Sequence, residues 1–216
     1  MNETPTPPTP VEPTPPEPPA AFDPGAEAAA YPVTAEIAHQ AEYSRFMPLV
    51  KWLLAIPHYL VLLVLGIGAL FAILFAAFAV LFTRRYPRGL FDYVLGVYRW
   101  AWRVLSYILL MNDRYPPFTL ADDPEYPAHL EIEYPEEVDR WRPFVQWILA
   151  IPFLLIANVL QNLAHLLVIF AFFTILFTKR FPRGMFELLL VAMRWNVRGN
   201  AYAHFMVTRY PPFVWA

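Results

Sequence analysis

Sliding the chain against itself by 95 residues superposes Tyr31–Phe118 on Tyr126–Phe213 without a gap, with roughly two aligned positions in five identical. A match of that length at a fixed period means one supersecondary plan used twice. Each copy holds a long apolar run, then Thr83-Arg84-Arg85-Tyr86-Pro87-Arg88-Gly89 or Thr178-Lys179-Arg180-Phe181-Pro182-Arg183-Gly184, then an Arg-studded stretch ending in Arg-Tyr-Pro-Pro-Phe. From Leu49 to Phe82 the only charged residue is Lys51, and its counterpart is Gln146. Any fold must find a solvent for two such runs.

Composition names that solvent. Hydrophobic residues make up 58% of the chain and charged ones 16%, against about 25% charged in ordinary soluble domains. The expected class is therefore mainly α and integral to a membrane. With no cysteine, disulfides and thiolate metal sites drop out. The domain plan is a tail over residues 1–30, a first membrane repeat over 31–120, an acidic linker over 121–125 and a second repeat over 126–216. Ten of the first thirty residues are proline, a composition that leans to extended polyproline II and has little to bury. No Lys or Arg precedes Arg45, so the positive region of a signal peptide is not expected there.

Each repeat opens with alternating residues, Tyr31-Pro-Val-Thr-Ala-Glu-Ile and Tyr126-Pro-Ala-His-Leu-Glu-Ile-Glu-Tyr. Period-two alternation predicts short strands, joined in a small sheet outside the bilayer. Ser44 and Asp139 align just before a helical apolar pattern and are expected to cap it. Pro57 and Pro152, about three turns in, are expected to kink it.

At ~1.5 Å per residue the apolar run is too long for one crossing of a ~30 Å hydrocarbon core and barely long enough for two. Two topologies remain. In the first the run is a hairpin turning near Gly66-Ile67-Gly68, aligned with Gln161-Asn162-Leu163. In the second the part before Pro57 lies in the interface, the rest spans once, and the Arg-bearing helix from Leu90 to Asn112 crosses back. The equivalent clusters Arg84/Arg85/Arg88 and Lys179/Arg180/Arg183 belong on one side of the membrane, so the crossings per repeat are even, and both topologies satisfy this. The second buries Arg99, Arg103, Arg194 and Arg198 near mid-bilayer, at ~2.5–3.5 kcal/mol each on an insertion scale. The hairpin avoids that cost and is the preferred expectation.

In the helix after the first Pro-Arg-Gly, Asp92, Arg99, Arg103 and Ser106 share one face at 100° per residue, opposite an apolar one, a pattern the second copy blurs by placing Asn196, Gly199 and Asn200 on the otherwise apolar side. That describes an interfacial helix, so the ten basic residues named above become candidate lipid or partner contacts. Asp92 stands four residues after Arg88 and seven before Arg99, and Glu187 stands likewise between Arg183 and Arg194. Each acid is expected to form a structural ion pair that fixes the elbow. Asn158, Gln161 and His165 make a polar stripe with Asn162 in the second apolar run. It reads as interhelical hydrogen bonding, as the hairpin turn, or as a polar path. The five histidines lack partners at ligand spacing, and no phosphate loop, nucleophile elbow or carboxylate pair occurs. No catalytic residue, cofactor, metal or nucleic-acid partner is expected. Residues 113–140 carry nine acids against two Arg and read as a solvated linker.

The segments Leu53-Leu-Ala-Ile-Pro57, Arg85-Tyr-Pro-Arg-Gly-Leu-Phe91, Arg99-Trp with Arg103, and Asp113-Arg-Tyr-Pro-Pro-Phe118 together resemble the bacterial domain-of-unknown-function family 4389, which occurs in tandem copies in actinobacterial membrane proteins. The resemblance covers about residues 31–216. It implies a multi-pass protein of a bacterial cell membrane and brings no activity. Asn196, Gly199 and Asn200 depart from the pattern.

The functional expectation is a non-enzymatic membrane protein, an accessory or scaffold that uses cytoplasmic amphipathic helices to hold lipid, another membrane protein or a second copy. Bilayer shaping by paired hairpins is a variant of it. The alternative is a transporter or channel subunit using Asn158, Gln161 and His165.

Overall fold

The two alternating segments form a two-stranded antiparallel ribbon, β1 (Val33–Ile37) and β2 (Ala128–Ile132), in the computed structural model, which describes residues 30–215. The tail assigned to residues 1–30 lies, apart from Ala30, outside the described residues. Val33 pairs with Ile132, Ala35 with Leu130 and Ile37 with Ala128. Since Ala128, Leu130 and Ile132 are the counterparts of Val33, Ala35 and Ile37, a pseudo-two-fold axis runs between Ala35 and Leu130. The two repeats are the halves of an isologous dimer held in one chain. The closing Tyr-Pro-Pro-Phe segments do not join the ribbon.

Five helices follow: α1 (Met47–Leu54), α2 (Ile56–Thr83), α3 (Arg88–Ile108), α4 (Arg142–Thr178) and α5 (Arg183–Ala203). Their ends repeat. Arg84 and Lys179 stop α2 and α4 at left-handed φ values of 58° and 59°, and Leu110 and Phe205 turn out of α3 and α5 at 64° and 61°. Such residues close a helix by returning an N–H to its last carbonyls, and Arg84 and Lys179 donate to Val80 and Ile175 at 2.9 and 2.8 Å. Pro87 and Pro182, with φ of −59°, lead into α3 and α5.

Two expectations are corrected here, the hairpin and the caps. There is no hairpin: α2 runs unbroken through Gly66 and Gly68, and α4 through Gln161, Asn162 and Leu163. A helical glycine costs only ~1 kcal/mol, and Gly68 is a packing site, because Tyr93 lies where a Cβ would stand and its hydroxyl donates to the Leu65 carbonyl at 2.9 Å. The prolines differ. α1 and α2 part at Ala55, leaving Pro57 in the first turn of α2, whereas Pro152 sits inside an unbroken α4. Ser44 and Asp139 do not cap, since the helices start later, after Phe46 and Trp141, with no side-chain cap. The Ser44 N–H instead donates to Asp113 at 2.6 Å.

α3 separates the ribbon from the long helix of its own repeat. Tyr93, Trp100 and Tyr107, seven apart on one face, reach Leu65, His58 and Met47 in turn, so α3 runs antiparallel to α1 and α2. Arg99, Trp102 and Arg103 lie on another face, roughly 110° away at 100° per residue, and point to the ribbon and linker. The second repeat copies this, with Phe153 stacked on Trp195 at 5.4 Å where the first has His58 beside Trp100.

The long helices bury only a seam. In α4 it runs from Gln146 through Ala150, Phe153, Ala157, Gln161, Ala164 and Ala171 to Ile175, spacings of three, four and seven that keep one side inward. In α2 it is Ala69, Ala72, Ala76 and Val80. Small residues let the neighbouring backbone approach, and most large side chains elsewhere on these helices are exposed. Met47–Thr83 and Arg142–Thr178, 37 residues each, are long and apolar enough to cross a membrane.

Candidate functional site

The ten basic residues separate into two groups. Arg84, Arg85, Arg88, Lys179, Arg180 and Arg183 are exposed at the elbows, with Arg88 stacked 3.9 Å over the Tyr134 ring and Arg84 3.7 Å from Asp139. The other four face inward. Arg99 donates from Nε to the Leu130 carbonyl at 3.3 Å and from Nη2 to both Glu131 oxygens at 2.5 Å. Its counterpart Arg194 donates to the Ala35 carbonyl at 2.7 Å. Arg103, only 2% exposed, donates to the carbonyls of Ala121, at 3.0 Å, and Thr119. Arg198 is buried with its guanidinium 5.6 Å over the Tyr31 ring. Burial pulls the Arg103, Arg194 and Arg198 guanidiniums below their usual value. The expectation that these four meet lipid or a partner is thus corrected: Arg99, Arg103 and Arg194 donate to ribbon and linker carbonyls, and Arg198 packs over Tyr31.

The expected elbow ion pairs are also absent among the described residues. Asp92 and Glu187 are exposed, while Arg99 turns to Glu131 and Arg194 to the ribbon backbone. Proximity along one helix, worth a few tenths of a kcal/mol, loses here to charge-assisted hydrogen bonds with a neighbouring element. The pairing that forms in its place is Lys51 with Asp113 at 2.8 Å, with Lys51 Nζ also donating to the Asn112 carbonyl at 2.6 Å. Gln146 occupies the same place in the second repeat and donates to the Val207 carbonyl at 2.8 Å. Lys51 stands out in the sequence as the lone charge of its run. Asp113 does not, because it stands next to Asn112, 61 residues on from Lys51, and only the packing of α1 beside the end of α3 joins them.

The polar stripe divides too. Asn158 is exposed and its amide donates to the Leu154 carbonyl one turn back at 2.8 Å. Asn162 does the same to Asn158 at 2.9 Å. Gln161 is 9% exposed and contacts His165 at 3.3 Å. These two line a cavity of about 220 Å³ between α3, α4 and α5, beside Tyr98, Trp102, Asn196 and Asn200. The carbonyl oxygen of Gln161 is buried there without a partner, so it can accept one hydrogen bond from a small occupant. Tyr98, not singled out by sequence, closes one side. Its hydroxyl lies 2.7 Å from His204 Nδ1, and burial lowers the His204 pKa to about 4. The ring is therefore neutral near pH 7, and Nδ1 can accept a hydrogen bond from the tyrosine hydroxyl.

Among the described residues no three His, Asp or Glu side chains gather as a metal site. No curated protein and no solved structure matches the chain. The sequence does match the family described as a domain of unknown function, DUF4389, over residues 48–119 and again over residues 140–214. The chain belongs to the DUF4389 family and carries its domain twice.

Proposed function

We propose that this chain is a non-enzymatic, membrane-attached accessory or scaffold protein. Its apolar helices hold it to lipid, and the layer of ribbon and linker is what it presents to other molecules. The observation that supports this reading is the exposed apolar surface of α1, α2 and α4. Trp52, Leu63, Phe71, Phe78 and Phe82 on one side of the duplication, and Trp147, Leu155, Ile169 and Phe177 on the other, are each at least 44% exposed. A contiguous apolar surface of that extent marks a membrane or partner contact. The six exposed basic residues at the elbows suit anionic headgroups.

Fractionation tests it. The full chain is expected in the membrane fraction, to resist an alkaline carbonate wash and to be released by detergent. Recovery in the soluble fraction would overturn the reading. The rival, a transporter subunit using Asn158, Gln161 and His165, loses support because the Asn158 amide is spent on its own helix, outside the cavity that Gln161 and His165 line.

A further inference from the structure

The geometry points to a chain that lies in the plane of one leaflet, with α1, α2 and α4 immersed in its hydrocarbon and the ribbon in the water above. It does not cross the bilayer. The inference rests on the membrane attachment proposed above and specifies how that attachment is made.

The ends of the long helices come first. Tyr43, four residues before α1, donates its N–H to the carbonyl of Lys179 at the end of α4, at 2.9 Å. Val138, four residues before α4, donates to the carbonyl of Arg84 at the end of α2, also at 2.9 Å. Each long helix begins where the other ends, so the two are antiparallel. Were they to cross a membrane, Arg84/Arg85/Arg88 and Lys179/Arg180/Arg183 would lie on opposite sides of it. Equivalent, equally basic clusters belong on the same side. Laid flat, both clusters reach one headgroup surface.

The ribbon gives the second argument. It sits on the pseudo-two-fold axis, between Ala35 and Leu130, and that axis passes through the midpoint of the antiparallel pair. In a crossing orientation the exposed carboxylates of Glu36 and Glu131 would stand at mid-bilayer depth, where charge is expensive. In the flat orientation the ribbon is separated from the long helices by the layer of α3 and α5. That places it on the order of 15–20 Å from their axes, among headgroups and water.

Length and exposure agree. A stretch of 37 residues is ~55 Å long, against a ~30 Å hydrocarbon core. An ordinary interfacial helix has a single apolar face, whereas these helices expose large apolar side chains on every side but the seam beneath α3 and α5, with Asn158, Asn162 and His165 the polar exceptions at the middle of α4. A helix ~10–12 Å across fits within one leaflet's hydrocarbon and would have lipid on all the remaining sides.

The absence of cysteine allows a test that is independent of insertion direction. The double variant Arg85→Cys/Arg180→Cys alters two exposed side chains and is treated, in sealed membrane vesicles, with a membrane-impermeant maleimide. In-plane placement predicts molecules with two labels or none; a crossing pair gives one label per molecule in either orientation. One label on membrane-bound chain overturns the placement alone, whereas a chain found in the soluble fraction overturns the attachment reading as well. Depth quenching is the second measurement. A fluorophore at Leu53→Cys, Leu63→Cys or Phe78→Cys should be quenched to the same extent by an acyl-chain nitroxide. Several-fold stronger quenching at Leu63 than at the two ends would reject the flat orientation.

Discussion

Arg99 and Arg194 stand 95 positions apart and hold the two residues paired at the centre of the ribbon, Arg99 through the Leu130 carbonyl at 3.3 Å and Arg194 through that of Ala35 at 2.7 Å. The relation recurs. Tyr126 donates to the Arg114 carbonyl at 3.0 Å, and Tyr31 to that of Arg209 at 3.2 Å. In each half, the strand that lies on the Arg helix precedes the other half's helices in sequence. The first strand closes the chain by docking on the last helix.

That closure makes the inner arginines structural. Arg103→Ala removes a buried guanidinium and leaves the Thr119 and Ala121 carbonyls without their donor, and hydrogen bonds to charged groups contribute about 1.5–3 kcal/mol. A loss of that order is expected in thermal or denaturant unfolding in detergent, while Arg85→Ala, on the exposed elbow, should stay within about 0.5 kcal/mol. Equal effects of the two would contradict the division of the basic residues.

The duplication supplies its own control for Lys51. Asp113→Ala leaves a buried ammonium without its partner, and breaking such a pair costs about 3–5 kcal/mol. Lys51→Gln together with Asp113→Thr copies the second repeat, where Gln146 and Thr208 stand at these positions. The double variant is expected to unfold at a higher temperature than Asp113→Ala alone.

Two glycines should respond in opposite directions. A Cβ at Gly96 would meet the Leu120 Cβ at 2.8 Å and its carbonyl oxygen at 3.1 Å, whereas one at Gly89 meets nothing within 4 Å. Gly96→Ala pushes the linker off α3 and is expected to cost about 1–3 kcal/mol. Gly89→Ala should be neutral or stabilise by up to about 1 kcal/mol. Chemical denaturation of both variants decides.

His204 makes stability depend on pH. Its pKa falls from 6.5 to about 4 on folding, through burial, so between those values the unfolded chain binds the extra proton and stability drops as pH falls. The loss should begin near pH 6.5 and level off near pH 4. Protonation also removes the lone pair that accepts from Tyr98. His204→Leu is expected to flatten the unfolding midpoint across that window.

If the long helices fill one leaflet, they should expand it. Binding of the purified chain is then expected to favour small, strongly curved liposomes over large ones of the same lipid. Equal binding to both would count against a bilayer-shaping role.

The duplication, the two strands and the starts of the Arg helices were legible in the sequence because each is a local or periodic property, whereas the end expected at Asn112 comes at Ile108, before the left-handed turn at Leu110. Tyr31 to Ile37 alternates, α3 and α5 follow Pro-Arg-Gly, and the copies confirm each other residue by residue. The expected hairpin fails for a local reason as well: Gly66 and Gly68 weaken a helix, but Tyr93, 25 residues beyond Gly68, uses the space there and leaves the helix whole. The face carrying Arg99 and Arg103 announces that guanidiniums need acceptors. It cannot say whether those are phosphates or carbonyls, since the acceptors come from Thr119, Ala121 and Leu130 and, for Arg194, from Ala35, 159 residues away. The sequence alone determined the repeated plan and the two long apolar runs. Only the tertiary structure decided that the repeats meet as an antiparallel pair about one axis, because that follows from contacts between distant residues which no local pattern encodes.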